Sequence, residues 1–162
     1  MNVLEWLATS EYAQWVNESW GWPLALTIHA FGVAIIVGFM AFIGLRLLGF
    51  FRTIPTESLI GLIPWIWVAY VFQAFSGATL WMTKPDKYLR DGMFLVKFTL
   101  VVVAGIVMVF FHQALKREAH DWDTSGKISP VGRKLVIASF LLWAGVTVAG
   151  RLTAYLGQLY LQ

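Results

Sequence analysis

The sequence predicts an all-α fold: an integral membrane four-helix bundle with an N-terminal interfacial amphipathic helix. Hydrophobic residues make up 59% of the 162 residues and charged ones only 13%, against roughly 45 to 50% and a quarter in soluble domains. Four apolar runs are each long enough to cross a hydrocarbon core about 30 Å thick, which takes about 20 helical residues. The segments between them are too short for a separate folded unit, and no repeat or low-complexity tract interrupts the chain. Residues 1–162 therefore read as one domain.

Residues 23–45 and 65–82 contain no Asp, Glu, Lys or Arg, while 92–115 are interrupted only by Lys97 and 135–158 only by Arg151. These are the four expected spans. Pro64 marks the start of the second, with 56–63 as a short interfacial turn, because an interior proline removes a backbone hydrogen bond. Before the first span, 1–19 carry Glu5, Glu11 and Glu18 but no Lys or Arg, which is unlike a signal peptide and predicts that the N-terminus is retained. Leu4, Leu7, Ala8, Tyr12 and Trp15 recur at helical spacing and predict one surface helix over about 3–19. Glu11 falls within that face and Trp6 points away from it, and a frayed terminus with interfacial aromatics is the alternative. Gly21 breaks the helix, and Pro23 suits the first turn of the next.

Net charge is +3, but the twelve Lys and Arg are scattered beside the apolar runs, so nucleic acid is not an expected partner. They carry topology instead. Arg46, Arg52, Lys116, Arg117, Lys127, Arg133 and Lys134 fall on one side, and Lys84, Lys87 and Arg90 on the other. The positive-inside rule then places both termini outside the cytoplasm, periplasmic in a bacterial inner membrane. The absence of cysteine excludes disulfides, iron–sulfur clusters and thiolate metal sites.

Polar groups at membrane depth are costly unless paired, which makes them the default functional candidates. At about 1.5 Å of rise per residue, His29 lies six residues beyond Pro23 and Lys97 five beyond Gly92, while Gln73 precedes Met82 by nine and Arg151 precedes Gln158 by seven. All four fall in one outer-leaflet layer, extended outward by Ser76 and Tyr155. The layer holds an imidazole, two cations and an amide, with no carboxylate at that depth. It suits an anion or electron-rich oxygen from outside the chain: haem propionates, a quinone head group or lipid phosphate. The alternative is that Lys97 and Arg151 snorkel to the head groups.

His29 is a candidate haem-iron ligand, with Gly32 one turn on admitting a flat macrocycle; its other reading is a hydrogen bond to a neighbouring helix. His112 lies fourteen residues deeper than His29, roughly 21 Å along the membrane normal, so one iron cannot take both. It reads as an interfacial histidine near a helix end, and His120 as a solvated loop residue. The glycines of the spans read as close helix contacts, and the nine tryptophans as an aromatic belt.

His29-Ala30-Phe31-Gly32, Leu45-Arg46-Leu47-Leu48-Gly49, Pro64-Trp65, Phe94-Leu95-Val96-Lys97 and Ala149-Gly150-Arg151-Leu152-Thr153-Ala154-Tyr155 together resemble an uncharacterised family of small bacterial four-span membrane proteins. More distantly the chain resembles HemJ-type protoporphyrinogen oxidases and CopD-type membrane domains. The HemJ-type resemblance implies a haem-ligand role for His29 and an anion-holding role for Lys97. Two departures stand out: His112 does not match the spacing of the HemJ-type histidine that follows the lysine, and CopD-type methionine or histidine clusters are missing.

The expected function is thus a membrane redox protein of the electron-transfer class. His29 would ligate haem b, Lys97 and Arg151 would hold propionates or a quinone, and Gln73 or Tyr155 would supply hydrogen bonds. The alternative is a non-catalytic accessory subunit of a larger respiratory or photosynthetic complex, with membrane lipid or partner subunits on the polar layer. Copper or proton transport has the least support, since no acidic relay and no methionine ladder cross the bilayer.

Overall fold

The structure, a computed structural model, describes residues 3–159. Among them no strand forms, and four helices are long and apolar enough to cross a membrane. The protein is an all-α, multi-pass membrane four-helix bundle. In chain order the elements are α1 (Val3–Ala8), α2 (Glu11–Glu18), α3 (Gly21–Leu47), a 3-10 helix (Thr56–Leu62), α4 (Ile63–Met82), α5 (Pro85–Arg90), α6 (Gly92–Ser125) and α7 (Pro130–Leu159).

The surface helix expected over 3–19 is two helices. Ser10 has extended backbone dihedrals and its hydroxyl accepts from Ala13 N–H at 3.3 Å, so it caps α2 where a continuous helix would have run on. The buried residues of α2 are Ala13 and Val16, whereas Tyr12 and Trp15 stay exposed. Tyr12 nonetheless reaches the bundle, its hydroxyl 3.0 Å from Thr79 Oγ1 on α4.

Pro64 lies in the first turn of α4, where its missing N–H costs no hydrogen bond. Asp91 caps α6 by accepting from Met93 N–H at 2.9 Å and Phe94 N–H at 3.3 Å. With 34 residues, α6 is about 51 Å long. That exceeds the hydrocarbon core, so its last turns, from Lys116 onward, project into solvent and end at left-handed Gly126.

In this projection Asp123 accepts from Thr56 N–H at 2.6 Å, from Glu57 N–H at 3.4 Å, from the Thr56 hydroxyl, and from Arg46 Nη2 at 3.1 Å. Arg46 also donates to Ile54 O. One carboxylate therefore caps the 3-10 helix and ties it to the ends of α3 and α6. Partial burial pushes the Asp123 carboxyl up. The Thr56 hydroxyl, the Thr56 and Glu57 N–H groups and Arg46 outweigh that effect and hold it below the usual carboxylate value.

The core occupies the half of the bundle near this basic end. It is built from Ile36 and Ile43 of α3, Ile63 and Ile66 of α4, Met108, Phe111 and Leu115 of α6, and Val136 and Trp143 of α7. α3 packs against α4 and α7, and α6 packs against α7. α4 and α6 stand apart, bridged by long side chains: Tyr70 donates to Val101 O at 3.0 Å and Trp67 Nε1–H to His112 Nδ1 at 3.4 Å. Beyond Tyr70, toward α5, nothing comparable joins the two helices among the described residues.

Candidate functional site

Where α4 and α6 part, they leave a cavity of about 600 Å³, within the usual range for a small-molecule site. His29, Gln73 and Gly77 form part of its α3–α4 wall, Lys97 and Phe98 part of its α6 wall, and Tyr70 is among its lining residues. Leu89 of α5 and Trp81 also line it.

The polar part of the first wall is a closed hydrogen-bond ring. The Gln73 amide nitrogen lies 2.9 Å from His29 Nε2, and His29 Nδ1 lies 3.0 Å from Ser76 Oγ. An amide N–H donates, so Nε2 accepts and Nδ1 carries the proton, donating to Ser76. The Ser76 hydroxyl in turn donates to Gln73 O at 3.1 Å. These residues meet because Gln73 and Ser76, three apart, share the buried face of α4, with Ile66, Ala69 and Thr79 on the same stripe.

Gly32 lets α3 approach that stripe: a Cβ there would lie 2.9 Å from Gln73 Oε1 and 3.3 Å from Ala69 O. Gln73 Oε1 is buried without a hydrogen-bond partner. Turning the amide over would satisfy it. Oε1 would then accept from Nε2–H of the other imidazole tautomer, and the Ser76 hydroxyl would donate to Nδ1 in place of Gln73 O. His29 thus keeps Gln73 and Ser76 as partners in two arrangements that differ in which imidazole nitrogen holds the proton.

Lys97 is different. Its stem lies against α7, with Cε 3.5 Å and Nζ 3.6 Å from where a Gly150 Cβ would stand. Among the described residues its ammonium has no hydrogen bond or ion pair, and no carboxylate lines the cavity. The cavity therefore presents one uncompensated cation in apolar surroundings. Such a charge is stabilised by an incoming anion or electron-rich oxygen.

Of the residues predicted from sequence, His29, Gln73 and Lys97 come together, with Ser76 behind His29. Arg151 and Tyr155 do not line the cavity and lie exposed, Tyr155 at 63%. The reason is azimuthal. Gly150 is the α7 residue facing Lys97, and one residue further turns a side chain about 100° around the helix. His112 accepts from Trp67 in the other half of the bundle, and His120 pairs with Glu57 at 3.2 Å, both exposed. Sequence reasoning missed Tyr70 and Trp81. Tyr70 was visible in principle, three residues before Gln73 on the same side of α4.

His29 has no free ring nitrogen, and among the described residues no group of three or more His, Asp or Glu side chains is placed to hold a metal ion. No protein-family model, no curated protein and no solved structure matches the chain.

Proposed function

We propose that the protein is a membrane redox protein that takes a quinone-class molecule from the bilayer into the cleft between α4 and α6. The observation that carries this reading is the unpartnered Lys97 ammonium beside an apolar cavity of about 600 Å³. A quinone combines an apolar body with carbonyl oxygens that gain electron density on reduction. A cation that hydrogen-bonds such an oxygen favours the reduced form, because the charge it stabilises develops there. The His29 ring stands on the opposite wall and can hold its proton on either nitrogen.

Haem b, which the resemblance to HemJ-type proteins implies, fits the site less well. Iron ligation requires a free imidazole nitrogen, and Gln73 and Ser76 engage both. On this reading the basic end, with Arg46, Arg52 and Lys116, lies in the cytoplasm of a bacterium, and both termini are periplasmic.

The test is a titration of purified protein with a short-chain quinone in detergent, read by tryptophan quenching, since Trp81 lines the cavity. Lys97→Met should weaken binding by about tenfold or more, the worth of a charge-assisted hydrogen bond. Equal affinity in the variant would refute the reading. A second reading, an accessory subunit of a larger respiratory or photosynthetic complex, draws support from the exposed N-terminal tryptophans: Trp6 is 57%, Trp15 51% and Trp20 84% exposed. Co-migration with a larger complex on native gels is its test.

A further inference from the structure

A second cavity, of about 380 Å³, lies between α3 and α7, with Val37 and Ala41 on one side and Phe140, Trp143 and Ala144 on the other. It is apolar except at two hydroxyls, and these differ. Thr147 returns its hydrogen to Trp143 O at 2.9 Å, as Thr99 and Thr153 do to the carbonyls one turn back on their helices. Ser139 does not: its residue is 5% exposed, and its Oγ is buried with no hydrogen-bond partner. A buried hydroxyl left unbonded costs about 1–3 kcal/mol, so this one invites an acceptor from outside the chain.

Arg133 stands six residues before Ser139 on α7, about 9 Å along the axis. It lies on the stripe 133, 137, 140 and 144, whose spacing of four, three and four keeps to one helix face. It is exposed, and among the described residues its guanidinium has no hydrogen-bond or ion partner. Ser139 stands beside this stripe, about 100° around the helix from Phe140, on the wall of the same apolar slot that Phe140 and Ala144 line. The slot thus has an unpaired hydroxyl on its wall and an unpaired guanidinium on the stripe leading to it from the basic end.

We propose that this groove binds a phospholipid of the leaflet on the Arg133 side. The phosphate sits on Arg133, an ester carbonyl accepts from the Ser139 hydroxyl, and an acyl chain fills the slot between α3 and α7. Charge complementarity argues for phosphate at Arg133, where the guanidinium fork matches its oxygens. The depth of Ser139 argues against a second helix, because a rod about 10 Å across cannot bring a backbone oxygen to a buried hydroxyl. A single acyl chain with its ester can.

Native mass spectrometry of the full chain released from detergent, with dioleoylphosphatidylglycerol or dioleoylglycerol added, tests this. One phosphatidylglycerol per chain should be retained. Arg133→Gln should weaken that adduct by about tenfold, the loss of a charge-assisted pair, and leave dioleoylglycerol unchanged. Ser139→Ala should weaken both several-fold, and Ala144→Leu, which fills the slot, should abolish both. Circular dichroism melts matching wild type establish that the variants fold. No discrete adduct in wild type, or an adduct indifferent to all three changes, overturns the proposal. So does a dimer, rather than a lipid adduct, that disappears with Ala144→Leu.

Discussion

Gln73 and His29 face each other across the α3–α4 contact with amide nitrogen and Nε2 2.9 Å apart, and Gly32 is what lets them meet. The residue stands beside both Gln73 Oε1 and the Ala69 carbonyl, so the helix approach and the polar ring are one construction. A change that separates the helices should also undo the ring.

Gly32→Ala should therefore destabilise the protein. Its Cβ would lie 2.9 Å from Gln73 Oε1 and 3.3 Å from backbone oxygen of Ala69. Gln73 can yield only by releasing His29, and Ala69 only if α4 moves. Overpacking of this kind costs typically about 1–3 kcal/mol. A thermal melt in detergent followed by circular dichroism should show the loss, and an unchanged melt would contradict the close contact.

The direction of the hydrogen bonds around His29 is open to spectroscopy. In the wild type the imidazole proton should reside on Nδ1, donated to Ser76. Ser76→Ala removes that acceptor, and the proton should move toward Nε2 as the Gln73 amide turns over to receive it. Nitrogen-15 chemical shifts of labelled histidine distinguish the tautomers. A proton already on Nε2 in the wild type would reverse the assignment.

The sequence made some of this legible and concealed the rest for physical reasons. Four charge-poor runs announce four spans because a bilayer tolerates little else, and counting residues placed His29, Gln73 and Lys97 at one depth. Depth says nothing of azimuth, however. Arg151 shares the depth of Lys97, yet Gly150 holds the angular position facing it. The separation of α4 from α6, which makes the cavity, arises from packing among all four helices and leaves no local mark. Asp123 and Thr56 are 67 residues apart, so their bond was invisible too. Ser10 carried a readable capping signal, masked by apolar periodicity on both sides of it.

Asp123 should make stability depend on acidity. Its carboxyl is held below the usual value in the folded protein, so the folded state binds its proton less readily than the unfolded chain. The stabilisation is complete above the unfolded value of about 3.9. It is lost as pH falls through the lower folded value. Melting temperatures measured from pH 6 downward should decline at the acid end, and Asp123→Asn should flatten that decline. Asp123→Ala at neutral pH leaves the buried Thr56 N–H and hydroxyl without their acceptor and should cost about 1–3 kcal/mol.

Tyr70 and Gly105 should be energetically coupled. A Cβ on Gly105 would stand 2.5 Å from the Tyr70 oxygen and 3.0 Å from Cζ, while the hydroxyl donates to Val101 O at 3.0 Å. Tyr70→Phe removes the hydrogen bond at a cost of about 1 kcal/mol. It leaves Val101 O with its helical partner, so no buried acceptor is orphaned. Gly105→Ala alone forces the phenol ring away and should cost about 1–3 kcal/mol. In the double variant the nearest clash is gone, and the second change should cost less than it does alone. A cycle of melts in detergent measures that difference, which for touching residues runs from about 0.5 to 3 kcal/mol. Strict additivity would mean that the ring does not rest on Gly105, and that α4 and α6 are held together at this level by some other contact.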